Sequence, residues 1–283
     1  MTELSMPPAR DFGWALKPTA SSHFAIEKRP NGQLAVILNH ALLRGVTAEG
    51  IHWWFQNFAN LSVLLIDVPG YEQRRVPAYF LWHPVDHHSA TLTGKINADG
   101  SARAGASIHI REAMQYDTYG WKYPVDSALK LFYVGADGWA MGKSLPIIGP
   151  VMMLRIHFKD VADGERHLGV HYHYEVVIGA SGDNFITRQL NKRMSAKFGT
   201  EFFEAWHQHN VIEVGTFENF LPALYDQRSD VSALRYSPKM VSPPSSEKQT
   251  GFDLKLFEHR LEGYKAAANP FVYQQYEAPT FIC

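Results

Sequence analysis

Hydrophobic residues recur with a helical period in the C-terminal part of the chain, beginning near residue 186. Two segments carry this period, ITRQLNKRMSAKF and TEFFEAWHQHNVIEVGTFENFLPALY, and Gly199 separates them. Glycine commonly marks such a boundary. A further helix is predicted to begin near Thr47, whose side chain can cap the free amides of the first turn of the segment that follows. The second C-terminal segment predicts a long helix over residues 200–225.

Between about residues 90 and 180 the pattern changes to short runs that favour strands, divided by turn signals. ATLTGKI and ASIHIRE flank Asn97-Ala98-Asp99-Gly100, which predicts a β-hairpin. LKLFYVG, VMMLRIHFKD and GVHYHYEVVIGA predict further strands, as does PAYFLWHP from Pro77. Many antiparallel strands followed by a long helix predict an α+β fold. In this fold the helix packs across a curved antiparallel sheet and the two enclose a cavity.

The chain divides into three regions on this basis. Residues 1–45 contain four prolines and are expected to be irregular. Residues 46–228 hold the predicted sheet and its helices and form the main domain. Residues 229–283 are expected to form a loop and a short helical tail that pack on that domain.

Composition narrows the functional classes. A net charge of −1 over 283 residues provides no basic surface for nucleic acid or an anionic membrane. No apolar run is long enough to span a membrane, and the N-terminus does not resemble a secretory signal. The single cysteine, Cys283, excludes an internal disulfide, so a cytoplasmic protein is expected.

The chain contains 14 histidines, and the pair His209 and Glu213 is the strongest local indication of a metal site. Residues four apart share one face of a helix, so both side chains can reach one ion. That face is otherwise apolar, and a buried imidazole and carboxylate are unfavourable unless they are paired or bind a metal. The residues of this helix face are Phe202, Trp206, His209, Glu213, Phe217 and Phe220.

Two other segments place similar groups toward the interior. His83, Asp86, His87 and His88 form a dense cluster of possible ligands after PAYFLW, and the residues alone leave the choice among the histidines open. In ASIHIRE, strand alternation puts Glu112 on the same face as the isoleucines. Three elements therefore direct ligand-type side chains inward. Two histidines with carboxylates suit one zinc ion per chain, with other divalent ions possible.

The central strands predict the walls of a chamber for an organic ligand. Alternation in VHYHYEVVI puts Tyr172 and Tyr174 on the more apolar face, whereas the opposite face, which carries Glu175, is expected to be exposed. His157 alternates with apolar residues and is expected to lie opposite them. Together with Tyr79, Trp82 and Trp206, the two tyrosines indicate an aromatic substrate site.

These motifs resemble those of the diacetylphloroglucinol hydrolase and phloretin hydrolase family. The shared features are WWFxN at Trp53–Asn57, YxxWHPxDH at Tyr79–His87, a glutamate that ends a strand at Glu112, and HxxxE at His209–Glu213. The resemblance covers about residues 45–225. It implies a helix-grip fold, as in the birch pollen allergen and START domains, and a possible homodimer. It also implies that residues 46–228 form a metal-binding catalytic domain.

The resemblance further implies zinc-dependent hydrolysis of the carbon–carbon bond between an acyl group and a phenolic ring. Its zinc ligands would be His87, Glu112, His209 and Glu213. Tyr79, His157 and Tyr172 would be catalytic, and Trp82, Tyr174 and Trp206 would contact a small aromatic ketone. The alternatives are a non-enzymatic carrier of hydrophobic ligands in the same fold and a metalloenzyme with another reaction, such as cleavage of a 1,3-diketone.

Overall fold

The computed structural model of the chain describes residues 5–240, so the predicted tail helix from Phe252 lies outside the described residues. Within them, eleven strands and six helices alternate with three short 3-10 turns. The strands are β1 (Ser22–Lys28), β2 (Leu34–His40), β3 (Ser62–Leu65), β4 (Arg74–Pro77), β5 (His87–Ile96), β6 (Ala102–Ala113), β7 (Pro124–Gly135), β8 (Gly138–Leu145), β9 (Gly149–Asp163), β10 (Arg166–Ile178) and β11 (Arg235–Tyr236).

Eight strands form one antiparallel sheet in the order β1-β2-β10-β9-β8-β7-β6-β5. Strands β5 to β10 follow one another as a meander, and β2 joins the far edge by pairing with β10. Register shifts in four of these pairings mark irregularities of the kind that bend strands. The fold is therefore α+β with a large curved antiparallel sheet. The remaining strands form a small sheet in the order β11-β3-β4.

The predicted hairpin and most of the predicted strands are present, but two expectations are wrong. The hairpin joins β5 to β6, and Gly100 takes the left-handed conformation that its turn requires. The segment PAYFLWHP is not a strand, because β4 ends at Pro77 and Tyr79–Trp82 form a helical turn. The N-terminal region is irregular only in part, since residues 22–40 supply β1 and β2 of the large sheet.

The helices are α1 (Ala48–Asn57), α2 (Tyr79–Trp82), α3 (Tyr116–Tyr119), α4 (Phe185–Ser195), α5 (Thr200–Gly215) and α6 (Phe217–Asp226). Thr47 caps α1 by accepting a hydrogen bond from the Gly50 amide, as predicted. The single helix expected over residues 200–225 is instead two helices that meet at Thr216. None of the described helices is both long and apolar enough to cross a membrane.

Alternate residues of β6 to β10 face a cavity of about 310 Å³, and α1, α2 and α5 cover it from the other side. Because side chains alternate along a strand, one face of the sheet supplies a continuous apolar wall. The lining includes Ile110, Leu129, Met141, Leu154, Ile156 and Val176 from the sheet and Phe55, Phe58, Phe202 and Trp206 from the helices. The cavity thus lies between the curved sheet and the helices that pack on it.

The opposite face of the sheet is more buried than its sequence suggested. Glu175 is only 2% exposed, and its two carboxylate oxygens pair with Arg29 at 2.9 Å and Arg155 at 2.7 Å. The expectation that this face of β10 is exposed is therefore wrong at Glu175. A charge can be buried there because two guanidinium groups, one directly after β1 and one on β9, compensate it.

The irregular N-terminal residues support the segment that carries the histidine cluster. Arg10 is buried, donates to the His83 carbonyl at 2.7 Å and places its guanidinium over the Phe80 ring. The Arg10 amide also bonds the Pro84 carbonyl. Arg10 therefore fixes the backbone between α2 and β5 through two hydrogen bonds to successive carbonyl groups.

Thr216 connects the junction of α5 and α6 to α2, because its hydroxyl lies 2.7 Å from the carbonyl oxygens of Trp82 and Glu213. We predict that Thr216→Val, which keeps the side-chain shape but removes the donor, lowers the free energy of unfolding by about 1–2 kcal/mol. Thr216→Ser keeps the hydroxyl and should lose only about 0.8 kcal/mol for its missing methyl group. Urea unfolding followed by tryptophan fluorescence measures both. A valine variant as stable as the wild type would contradict the prediction.

Candidate metal centre

Two strands and one helix bring the four predicted ligands together at one end of the cavity. His87 and Glu112 are direct partners across the β5–β6 ladder, so their side chains share one face of the sheet. His209 and Glu213 lie one turn apart on α5. His87 Nε2 is 3.4 Å from a Glu112 oxygen and 3.8 Å from a Glu213 oxygen, and His209 Nε2 lies 3.9 Å and 3.8 Å from the same two carboxylates.

Hydrogen bonds fix which ring nitrogen of each histidine faces the carboxylates. His87 Nδ1 lies 2.9 Å from the Tyr79 carbonyl oxygen. A carbonyl can only accept, so Nδ1 carries the hydrogen and the neutral ring directs the lone pair of Nε2 into the cluster. His209 Nδ1 likewise donates to the Asp86 carboxylate at 2.8 Å. Both Nε2 atoms are thus directed toward the two glutamates.

The donor set fits a cation. His87 is fully buried, and its Nε2 has no hydrogen-bond partner among residues 5–240. A buried lone pair that faces two carboxylates is repelled unless a proton or a metal ion lies between them. His87, Glu112 and His209 offer ligand atoms within 4.8 Å of one another, and Glu213 borders the same space. These buried groups could therefore hold a metal ion.

Burial and mutual charge shift the pKa values of the cluster. Burial raises the pKa of Glu213 to about 8 and also raises that of Glu112. Burial alone would lower the pKa of His209, but its hydrogen bond to Asp86 and the surrounding carboxylates outweigh this effect and raise it to about 9. Burial lowers the pKa of His87 well below its usual value. The cluster by itself therefore retains protons that a bound cation would displace.

Asp86 orients the centre without facing it. Its carboxylate accepts hydrogen bonds from the amides of Gln115 and Tyr116 and from His209 Nδ1, and His83 Nε2 lies 3.3 Å away. Burial would raise the pKa of Asp86, but the two histidines and the amides lower it to about 2. Asp86 therefore remains ionised and holds the His209 ring in one orientation, as carboxylates behind metal-binding histidines do.

The other two histidines of the cluster have different positions. His83 stacks on His209 and accepts from the Val85 and Asp86 amides through Nδ1, so its hydrogen-bearing Nε2 faces Asp86. His83 and His209 also form a second possible metal group with Asp86, in which His209 Nδ1 already donates to the Asp86 carboxylate. His88 lies at a β-bulge, is half-buried and bonds Ser89. The geometry thus places His87, rather than His83 or His88, beside Glu112 and Glu213.

The predicted aromatic residues border the same cavity. Its lining includes Tyr79, Trp82, Tyr172, Tyr174 and Trp206. The Tyr79 hydroxyl donates to a Glu112 oxygen at 2.6 Å, and its ring stacks on His87 with the ring centres 3.8 Å apart. Burial raises the pKa values of all three tyrosines well above 10, so their hydroxyl groups keep their protons and can act as hydrogen-bond donors.

His157 does not belong to this site, so its predicted catalytic role is wrong. On β9 the residues Leu154 and Ile156 line the cavity, and strand alternation turns His157 to the opposite face. There it lies beside His173 of β10, with their ring centres 6.3 Å apart. The sequence already indicated this face, because His157 lies an odd number of residues from Leu154 and Ile156.

Three supporting residues were missed from sequence. Asp86 was recognised only as part of a cluster, because its partner His209 lies 123 positions away in the sequence. Asn210 donates to Glu213 at 3.3 Å and bonds His40 Nε2 at 2.9 Å. His40 is buried and far away in sequence, so nothing in the local pattern could have connected it to the centre.

Comparison with known proteins adds little to this geometry. No protein-family model and no curated protein matches the sequence. The solved structures that match include a protein of unknown function from Staphylococcus aureus, with 11% identity over 65% of this chain and 96% of that chain. Its TM-score is 0.29, which supports no argument about the fold or the function of this chain.

Replacing Asp86 with asparagine should weaken ion binding. We predict that Asp86→Asn lowers the affinity for zinc by roughly 10- to 100-fold, because the His209 ring loses its anionic partner. Competition with a chromophoric chelator measures the affinity. Asp126→Asn is the matched control, since Asp126 pairs with His109 in an exposed histidine–aspartate pair outside the cavity lining. Equal affinities of the two variants would count against the orienting role.

Proposed function

We propose that the chain is a cytoplasmic zinc-dependent hydrolase of the diacetylphloroglucinol and phloretin hydrolase type with a helix-grip fold. The observation that carries the proposal is the position of the buried cluster. His87, Glu112, His209 and Glu213 meet at the wall of an apolar, aromatic-lined cavity, with both Nε2 atoms turned toward the carboxylates. The curved sheet and α5 on either side of the cavity support the helix-grip interpretation.

Zinc is the ion that this donor set favours. Two imidazoles and two carboxylates form a nitrogen and oxygen site of borderline hardness, in which manganese, iron or cobalt are also acceptable. Bound there, the ion would polarise an acyl carbonyl and lower the pKa of water. Asp86 and the Tyr79 carbonyl hold the two histidines in the orientation that leaves Nε2 as the ligand atom.

The cavity fits a small aromatic ketone. Its volume of about 310 Å³ suits a single substituted ring, and Trp82, Tyr174 and Trp206 provide flat apolar surfaces for it. Tyr172 and Tyr174 add hydroxyl groups to this wall, which can donate hydrogen bonds to phenolic or carbonyl oxygens of the ligand.

The reaction breaks the bond between the acyl carbon and the ring carbon. The ring leaves with the electron pair of that bond, so a proton must reach the ring carbon, and the buried Tyr172 hydroxyl is the proposed donor. The oxygen of water forms the new bond to the acyl carbon, and a glutamate takes the proton that water gives up. The products are a carboxylic acid and the de-acylated phenol. The same groups could cleave a 1,3-diketone.

A carrier of hydrophobic ligands is the alternative that the same cavity allows. The buried ionisable cluster argues against it, because a carrier gains nothing from two histidines and two glutamates on an apolar wall. Such a carrier would hold its ligand without stoichiometric metal.

Metal analysis and a product assay together test the proposal. Gently purified protein should contain one equivalent of zinc or another divalent ion. Incubation with acylphloroglucinols and 1,3-diketones should release a carboxylic acid, detected by mass spectrometry, and removal of the metal with a chelator should abolish the release. Full activity in metal-free protein would refute the proposed mechanism, and protein that purifies without metal would favour the carrier.

Glu213→Gln tests the cluster within the folded protein. The change preserves size and removes one charged ligand, so both metal content and kcat/KM should fall, the latter by more than about 100-fold. Glu204→Gln makes the same change at an exposed position of α5 and should leave both quantities unaltered. A Glu213→Gln variant with full metal content and activity would exclude Glu213 as a ligand.

Tyr172→Phe tests the proton donor separately from the metal. We expect kcat to fall roughly 100-fold with metal content unchanged, because the variant loses a general acid but no ligand. Tyr133→Phe is the control, since the Tyr133 hydroxyl bonds Asp137 and lies outside the cavity lining. Unchanged kcat in Tyr172→Phe would assign the proton transfer to another group.

A further inference from the structure

One row of side chains on β8 leads from the closed interior of the cavity to its opening. Trp139, Met141 and Lys143 alternate along the strand and all line the cavity. Trp139 is fully buried, Met141 is 5% exposed and Lys143 is exposed. The exposure increases along the row, so Lys143 marks the cavity mouth.

Lys143 is an unusual member of this wall. Among the described residues that line the cavity it is the only lysine or arginine. Its Nζ donates to the hydroxyl of Ser127, another lining residue on β7, at 3.0 Å. No carboxylate within residues 5–240 forms an ion pair with Lys143, and the nearby Asp126 is turned to the opposite face of β7, where it pairs with His109 and Arg111. Within the described part of the chain, the Lys143 ammonium thus lies at an apolar cavity with a hydroxyl partner and no carboxylate partner.

The charges of the cavity therefore differ between its two regions. Glu112 and Glu213 lie at the candidate metal centre, and Lys143 lies two strands away from Glu112 across the sheet. Ser127, which accepts the Lys143 hydrogen bond, pairs on the neighbouring strand with Ile110, two residues before Glu112. One strand spacing of about 4.8 Å and two residues of about 3.4 Å each separate the backbone positions of Ser127 and Glu112 by roughly 8 Å, the length of a substituted aromatic ring. The stretch between them is bordered mainly by apolar residues such as Leu129, Met141 and Leu154.

We propose that Lys143 and Ser127 form a subsite for an anionic group, such as a carboxylate, on the arm of the ligand that points to the cavity mouth. The inference deepens the proposed function, since it rests on the same cavity and adds that the preferred substrate is an acidic aromatic ketone. The ammonium and hydroxyl groups donate hydrogen bonds to such an anion at the cavity mouth.

Two fluorescent probes with the same ring system test the subsite without any catalysis. 8-Anilinonaphthalene-1-sulfonate is anionic, and N-phenyl-1-naphthylamine is its neutral counterpart without the sulfonate. The Kd of each probe is measured by fluorescence for the full-length wild type, Lys143→Met, Lys143→Arg and Lys130→Met. Lys130 is the matched control, because it is an exposed lysine on the opposite face of β7, next to β8.

The expected result is a preference of the wild type for the anionic probe that falls about tenfold in Lys143→Met. Lys143→Arg and Lys130→Met should retain the preference. Three outcomes would overturn the subsite: a wild type without preference, a Lys143→Met variant with the wild-type preference, or an equal loss in Lys130→Met, which would reflect net charge alone.

A substrate comparison separates failure of the subsite from failure of the proposed reaction. Acylphloroglucinols with and without a carboxylate, placed either on the acyl chain or on the ring, are assayed with wild type and Lys143→Met. If Lys143→Met loses the preference for the carboxylated compounds, the subsite is supported. If all compounds are cleaved with the wild-type preference, the subsite is wrong and the reaction stands. If none is cleaved while the probe preference depends on Lys143, the reaction is wrong and the subsite stands.

Discussion

Two imidazoles and two carboxylates share one buried volume, and the structure around them depends on how their charges are compensated. Water reaches them poorly, since His87 is fully buried and Glu213 is 9% exposed. Ionised groups in such surroundings need partners that they cannot obtain from solvent. Hydrogen bonds supply some of these partners. His87 bonds the Tyr79 carbonyl, His209 bonds the Asp86 carboxylate, and Glu112 accepts from the Tyr79 hydroxyl. The convergent Nε2 atoms and the two carboxylates border a space that could hold a metal ion.

This constraint accounts for several features of the fold that would otherwise be unrelated. The helical turn α2 presents the Tyr79 carbonyl to His87, and Thr216 ties the junction of α5 and α6 to the end of that turn. Arg10 holds the backbone that follows this turn through the His83 carbonyl. Asp86 joins α5 to the segment after β6 through His209 and two amides. The irregular N-terminal residues and the loop before β5 thus determine the geometry of the centre.

Periodicity in the sequence predicted much of the fold and the main site residues. Helical phase selected His209, and strand parity selected Glu112, Tyr172 and Tyr174 for the cavity face. The same reasoning failed where local pattern and tertiary packing disagree. Tyr79–Trp82 have strand-like composition but form a helical turn. Residues 22–40 supply two strands despite nearby prolines. Glu175 is buried because two arginines pair with it. His157 was assigned to the site although strand alternation in its own segment puts its side chain on the face opposite the cavity.

The sequence by itself therefore determined the α+β class, the strand and helix faces, and the presence of ligand-type residues on three inward faces. These are local properties, since a repeat of two or of 3.6 residues decides which side chains point to the interior. Only the tertiary structure decided which of the three clustered histidines joins the glutamates, that Asp86 orients His209, and that Lys143 stands at the cavity mouth. Those outcomes depend on strand register, on a bulge at His88 and on contacts between residues more than 100 positions apart, which no local pattern encodes.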